Sequence, residues 1–177
     1  MPQSLRLQAP SGELRDSYRD LIAELDAGGE ARVPFPLSFP FEDFDALLAS
    51  LRDYANGVGL KEGFVPHSTY WLVRGGKEIV GVSNLRHRLN EKLAREGGHI
   101  GYGIRPSARR KGCGREILRQ TLERARAIGI DRVLVTCGKG NTGSVRIIVG
   151  NGGVFESEAF SAERGEVVQR YWIPNGA

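Results

Sequence analysis

The chain has 177 residues and a mass of 19.4 kDa, with 40% hydrophobic and 26% charged side chains. That is enough apolar material for one core without metal or disulfide staples, so a single domain over residues 1–177 is expected. The opening Met-Pro-Gln-Ser-Leu-Arg-Leu has no leader-like apolar run, and no stretch reaches the roughly 18 apolar residues of a membrane span. Cys113 and Cys137 fit no paired metal-ligand spacing. Secretion, membrane insertion and a structural metal are therefore not expected, and a reducing cytoplasm is the expected compartment. The net charge of +4 is unevenly spread: residues 1–60 carry 5 Lys/Arg against 10 Asp/Glu, and residues 61–177 carry 20 against 11.

In chain order, Leu5 and Leu7 alternate with polar neighbours like a short strand, and Leu14, Tyr18, Leu21, Ile22 and Leu25 follow helical spacing up to Gly28-Gly29. The prolines at 34, 36 and 40 impose an irregular stretch, after which Phe44, Leu47, Leu48 and Leu51 line one side of a second helix from about Glu42. Thr69 to Arg74 and Glu78 to Leu85 flank Gly75-Gly76 as a hairpin. A further strand is expected from Gly97 to Ile104, where the glycines suggest a bulge or a ligand backbone close by. The period then turns helical, with a stripe of Ile117, Leu118, Leu122, Ala125 and Ile128 ending at Gly129. Arg132 to Cys137 reads as a strand, Asn141 to Val149 as a short helix, and Gly153 to Phe160 and Glu166 to Ile173 as closing strands. The 97–137 unit implies a right-handed crossover whose two strands neighbour each other in one sheet. With hairpins on either side, the expected class is α/β (α+β): a mixed, mostly antiparallel sheet flanked by helices.

The densest basic stretch runs from Arg105 to Arg115 and contains no acid. Its core, Arg109-Arg110-Lys111-Gly112-Cys113-Gly114, lies where strand gives way to helix. Glycines there let the backbone expose successive N–H groups, and the helix start adds unpaired donors and a positive dipole end, a natural partner for phosphate oxygens. A Walker loop fails on spacing, and Gly101-Tyr102-Gly103 is followed by Pro106 where a dinucleotide fingerprint needs glycine. A solvated basic face is the plain alternative. Nucleic-acid binding is disfavoured, because the charges surround one short loop with no interleaved aromatics.

The run Ile104-Arg105-Pro106-Ser107-Ala108-Arg109-Arg110-Lys111-Gly112-Cys113-Gly114 resembles the GNAT superfamily of N-acetyltransferases, in which a strand ending in hydrophobic-x-Pro leads into an Arg/Gln-x-x-Gly-x-Gly/Ala loop and a helix. Asn141-Thr142-Gly143-Ser144, followed by Asn151-Gly152-Gly153, resembles that family's Asn-x-x-Ala/Ser helix and glycine turn. The resemblance covers about residues 97–155. It implies acetyl-CoA as co-substrate, with its diphosphate on the amides of Arg110, Lys111, Gly112, Cys113 and Gly114, with Arg109 close by and Arg115 also a cofactor-binding residue. Ile104 would pair with the pantetheine arm, Asn141 and Ser144 would contact the pantetheine or adenosine portion, and no metal is implied. It further implies transfer of the acetyl group to a primary amine by direct attack in a ternary complex.

Members of this family commonly carry a tyrosine seven residues after that asparagine, as the acid that protonates the leaving thiolate; here the position is Ile148. Tyr102 is the replacement candidate and His99 the candidate base, although strand alternation sets the two on opposite faces. Asn84-Leu85-Arg86-His87 is a surface turn or part of the acceptor site, and Cys113 and Cys137 are packing residues without a partner base. The acids of residues 13–53 give an electrostatic motive for a cationic small molecule or basic peptide as acceptor, or are a solvated face. A homodimer is compatible with the sequence. The missing tyrosine leaves open a non-catalytic acyl-CoA-binding or sensing module.

Overall fold

The computed structural model describes residues 4–176. Strand β1 (Leu5–Gln8) precedes α1 (Arg15–Ala27) and α2 (Phe44–Ala55), followed by β2 (His67–Arg74), β3 (Glu78–Arg86) and β4 (Ile100–Ile104). Helix α3 (Cys113–Ala127), β5 (Arg132–Gly138), α4 (Thr142–Gly150), β6 (Val154–Ser161) and β7 (Glu166–Pro174) complete the order. The strands form two antiparallel sheets, β1-β2-β3-β4 and β5-β7-β6.

Each helix buries the stripe its sequence dictates. Tyr18, Leu21, Ile22 and Leu25 of α1 and Phe44, Leu47 and Leu51 of α2 close over Trp71, Val73, Ile79 and Val82 on one face of the first sheet. Asp43 starts α2 by accepting the Ala46 N–H at 3.0 Å. On the opposite face α3 bridges both sheets. Cys113 and Ile117 pack with Leu7, Leu72 and Val80, while Leu118, Leu122 and Ala125 pack with Val133, Val135 and Tyr171. Ile117 and Leu118 are fully buried, worth roughly 1.5–3 kcal/mol each.

Four expectations need correction. The strands β4 and β5 are not neighbours in one sheet; they belong to different sheets and diverge. The strand expected from Gly97 begins only at Ile100, because Gly97 ends a π-type turn and Gly98 lies at φ 65°, where an added Cβ would stand 2.6 Å from the Leu134 carbonyl oxygen. Ile128 lies beyond the last turn of α3 and is 47% exposed, so the buried stripe stops at Ala125 and is widened by Thr121. Asn84 and Leu85 are no surface turn: both are fully buried, and Asn84 Nδ2 contacts His67 Nδ1 at 2.9 Å.

Candidate acetyl-CoA and acceptor cleft

The parity of β4 follows from two bonds to β3. The Arg105 N–H donates to Val80 O at 2.9 Å and the Arg86 N–H to His99 O at 2.7 Å, so odd residues face β3. Tyr102 and Ile104 therefore turn their main-chain groups to the other edge, where β5 has splayed away. Such an open edge suits an extended amide-bearing chain.

Past Ile104 the backbone forms a tight turn into α3. Arg110 adopts φ 60° and Gly112 φ 82°, two left-handed residues either side of Lys111. For arginine that conformation costs about 1–2 kcal/mol, a strain typical of ligand-holding turns. Gly112 precedes α3 without any side-chain cap. Among the described residues, the N–H groups of Arg110, Lys111, Gly112, Cys113, Gly114 and Arg115 find no acceptor, and the first helical bond is Glu116 N–H to Gly112 O at 3.2 Å. Six N–H groups thus stay unpaired at the positive end of the α3 dipole, a set of donors that fits a diphosphate. The side chains of Arg110 and Arg115 make no ion pair among the described residues, while Lys111 Nζ donates to Ser107 O at 2.8 Å. The Cys113 thiol faces the core, where burial pushes its pKa up, so only its N–H belongs to this donor set.

Two glutamates, invisible as site residues in the sequence, tie this segment to α1. Glu24 accepts from Arg105 Nε and from the N–H and hydroxyl of Ser107; burial raises its pKa, but those hydrogen bonds outweigh it and hold the carboxyl below the usual range. Glu30 receives both terminal nitrogens of Arg109, at 2.9 and 2.6 Å, and that pairing keeps it ionised. Arg109 also donates from Nε to Ile104 O at 3.1 Å. The residue expected beside the diphosphate is thus engaged by a carboxylate.

The open edge and the turn border one cleft of about 630 Å³, lined by Tyr102, Gly103, Ile104, Arg109, Arg110, Gly114, Asn141, Ser144 and Ile147, with Leu21, Leu25, Glu30, Val33 and Leu37 opposite. Asn141 Oδ1 accepts the Ser144 N–H at 3.0 Å and so caps α4, leaving its amide nitrogen to other partners. Tyr102 Oη is buried without a hydrogen-bond partner. Burial pushes its pKa up to about 12; the Ser144 side chain is near enough to oppose that rise, yet no full hydrogen bond closes between them. Ile148 is fully buried in the core, whereas Ile147 reaches the cleft. The glycines of β4 admit a chain backbone after all, but it is the protein's own: a Cβ on Gly103 would collide with the Val33 carbonyl oxygen.

His99 does not join this cleft. Its ring is nearly buried and its Nδ1 accepts the Leu134 N–H at 2.9 Å, while the His99 main-chain N–H donates to Leu134 O at 2.7 Å. The imidazole thereby stitches the two sheets where they part. Burial, helped by Arg86, pulls its pKa down to about 4, and burial does the same to His67, helped by Arg86 and His87. Rings neutral in the folded state and basic when unfolded contribute stability that is complete above pH 6.5 and lost as pH falls towards 4. Urea unfolding at pH 7, 6 and 5 is expected to give decreasing stability, with close to two protons taken up on unfolding at pH 5; a flat profile would contradict two neutral buried rings.

Residues 20–154 match the family model described as an acetyltransferase (GNAT) domain. The chain belongs to the GNAT acetyltransferases. Solved GNAT structures share the architecture at low identity. The Salmonella typhimurium acetyltransferase that modifies the N-terminal serine of ribosomal protein L7/L12 matches at 17% identity and TM-score 0.69, covering 97% of this chain and 95% of that one. The protein yncA of Salmonella typhimurium, solved with its cofactor acetyl-CoA, matches at 14% and 0.62, covering 97% and 94%. The dodecameric spermidine N-acetyltransferase of Vibrio cholerae matches at 18% and 0.63, covering 97% and 94%. No curated protein matches the chain. As a GNAT member the chain is an acetyl-CoA-dependent N-acetyltransferase, and no helix among the described residues is long and apolar enough to cross a membrane.

Proposed function

We propose that the protein acetylates a primary amine by direct attack within a ternary complex, with acetyl-CoA in the cleft between β4 and β5. One observation carries this: the run of unpaired N–H groups at residues 110–115 borders, through Arg110 and Gly114, the same cleft as the open edge of Tyr102 and Ile104. Acetyl-CoA supplies an activated acetyl group. The turn holds its diphosphate, with the Arg110 and Arg115 side chains adding charge. Tyr102 and Ile104 pair with the amides of its arm, Tyr102 N–H is the donor nearest a developing oxyanion, and Asn141 and Ser144 flank the arm from α4. Tyr102 Oη stays protonated well above neutral pH and holds the proton a departing thiolate needs. Holding amine and thioester together contributes most, since orientation alone can supply roughly 7–11 kcal/mol.

Arg105 and Arg109 are spent on Glu24 and Glu30, which leaves too little free charge on this loop for a nucleic-acid surface. The reading includes a cytoplasmic setting and a homodimer, whose candidate surface is the edge strand β6 with Val154, Phe155 and Phe160 exposed. Ile148, buried where the family commonly offers tyrosine, favours a second reading, an acyl-CoA-binding module without turnover. Thiol release from acetyl-CoA across a panel of small amines and basic peptides, with calorimetry of CoA binding, separates the two. Release with at least one amine supports the transferase; binding without release supports the module, and the absence of both binding and release contradicts both readings.

A further inference from the structure

Arg109 is doubly committed where the coenzyme has to lie. Its two terminal nitrogens grip Glu30 and its Nε covers Ile104 O, the acceptor on the open strand edge. A guanidinium fork matches a carboxylate and a phosphate equally well, so Glu30 presents Arg109 with the same pair of oxygens a diphosphate would. Glu30 is the one carboxylate among the described residues lining the cleft, where Arg105, Arg109 and Arg110 are the cations. Arg105 already has Glu24. The Glu30–Arg109 pair is about two-fifths exposed on each side, and an exposed pair of this kind is worth little net, so the exchange is inexpensive.

We propose that Glu30 keeps the diphosphate's place on Arg109 and, once displaced by the coenzyme, becomes the carboxylate that receives the acceptor's ammonium group. This rests on the cleft being the acetyl-CoA site. Two consequences follow: the coenzyme strengthens binding of the amine, and acceptors carry a second positive charge, on the diphosphate side of the reacting nitrogen. Before the exchange Glu30 is neutralised by Arg109 and offers little to a cation; afterwards it is the unmatched negative charge in the cleft.

Calorimetry with CoA and with 1,4-diaminobutane, on the wild type and on Glu30→Gln, tests the exchange without any turnover. Removing the competing carboxylate is expected to tighten CoA binding about threefold, in line with a weak exposed ion pair. The diamine is expected to bind the CoA-loaded wild type about tenfold more tightly than the coenzyme-free protein, and Glu30→Gln is expected to lose that gain. Unchanged or weaker CoA binding in Glu30→Gln overturns the competition. Diamine affinity that is absent, indifferent to CoA, or equal in the two proteins overturns the receiving role. A wild type that binds no CoA sinks the cleft assignment itself, whereas normal CoA binding with no difference between the two proteins sinks only this inference.

Discussion

Tyr102→Phe is expected to lower kcat about a hundredfold while leaving CoA affinity within about twofold of the wild type. General acid catalysis typically contributes about 10²–10⁴-fold, and a thiolate is a good enough leaving group to place this case at the low end. The phenol ring packs against both the α3 core and the β5–β7 core, so phenylalanine keeps the packing and removes only the hydroxyl. Because Oη has no partner to lose, the substitution should not destabilise the fold. With its pKa near 12, the acid stays protonated over the working range, so the wild-type rate has no alkaline limb from Tyr102 below about pH 11. Steady-state rates from pH 7 to 10, alongside calorimetry of CoA, check this. An unchanged kcat would remove Tyr102 from the chemistry.

Gly103→Ala is expected to lose stability and amine recognition together. Its Cβ would fall on the Val33 carbonyl oxygen with the Val33 carbonyl carbon 3.0 Å away, and both obstacles are main chain that cannot rotate aside. The segment through Val33 and Leu37, which forms the wall of the cleft facing β4, has to lift. Overpacking of this kind costs about 1–3 kcal/mol, or roughly 2–12 °C in melting temperature. The turn proposed to hold the diphosphate, residues 110–115, is not part of the displaced wall, so CoA affinity is expected to change less than the KM for the amine. Thermal unfolding with paired titrations tests the split; a variant as stable as the wild type would mean that Val33 is free to move.

The elements were legible wherever one local period ruled. The stripes of α1 and α2, the Gly75-Gly76 hairpin and β7 needed only neighbours in sequence. The turn proposed to hold the diphosphate was legible for the same reason, since Gly112 and the start of α3 make it from contiguous main chain. What the sequence concealed was set by distant partners. Glu30 meets Arg109 across 79 residues and Glu24 meets Ser107 across 83, and no spacing rule connects them. His99 looked like a base because a lone histidine on a strand carries no sign of the Leu134 N–H that it will accept. The glycines of β4 did signal a close backbone, but sequence could not tell a ligand's chain from the Val33 carbonyl. The late start of β4 goes with the turn at Gly98, a conformation no periodicity reports.

The central claim is that the turn at residues 110–114 carries the coenzyme's affinity through main-chain donors. Calorimetric titration of CoA into the wild type, Gly112→Asn and Gly112→Val tests it most directly. Gly112 has open space around it but sits at φ 82°, so only conformation discriminates among the three. Asparagine tolerates the left-handed region and should bind within a few-fold of the wild type, whereas valine, strained by about 1–2 kcal/mol there, should bind about five- to thirtyfold more weakly. Equal affinity in all three proteins, or no binding by the wild type, would contradict the account.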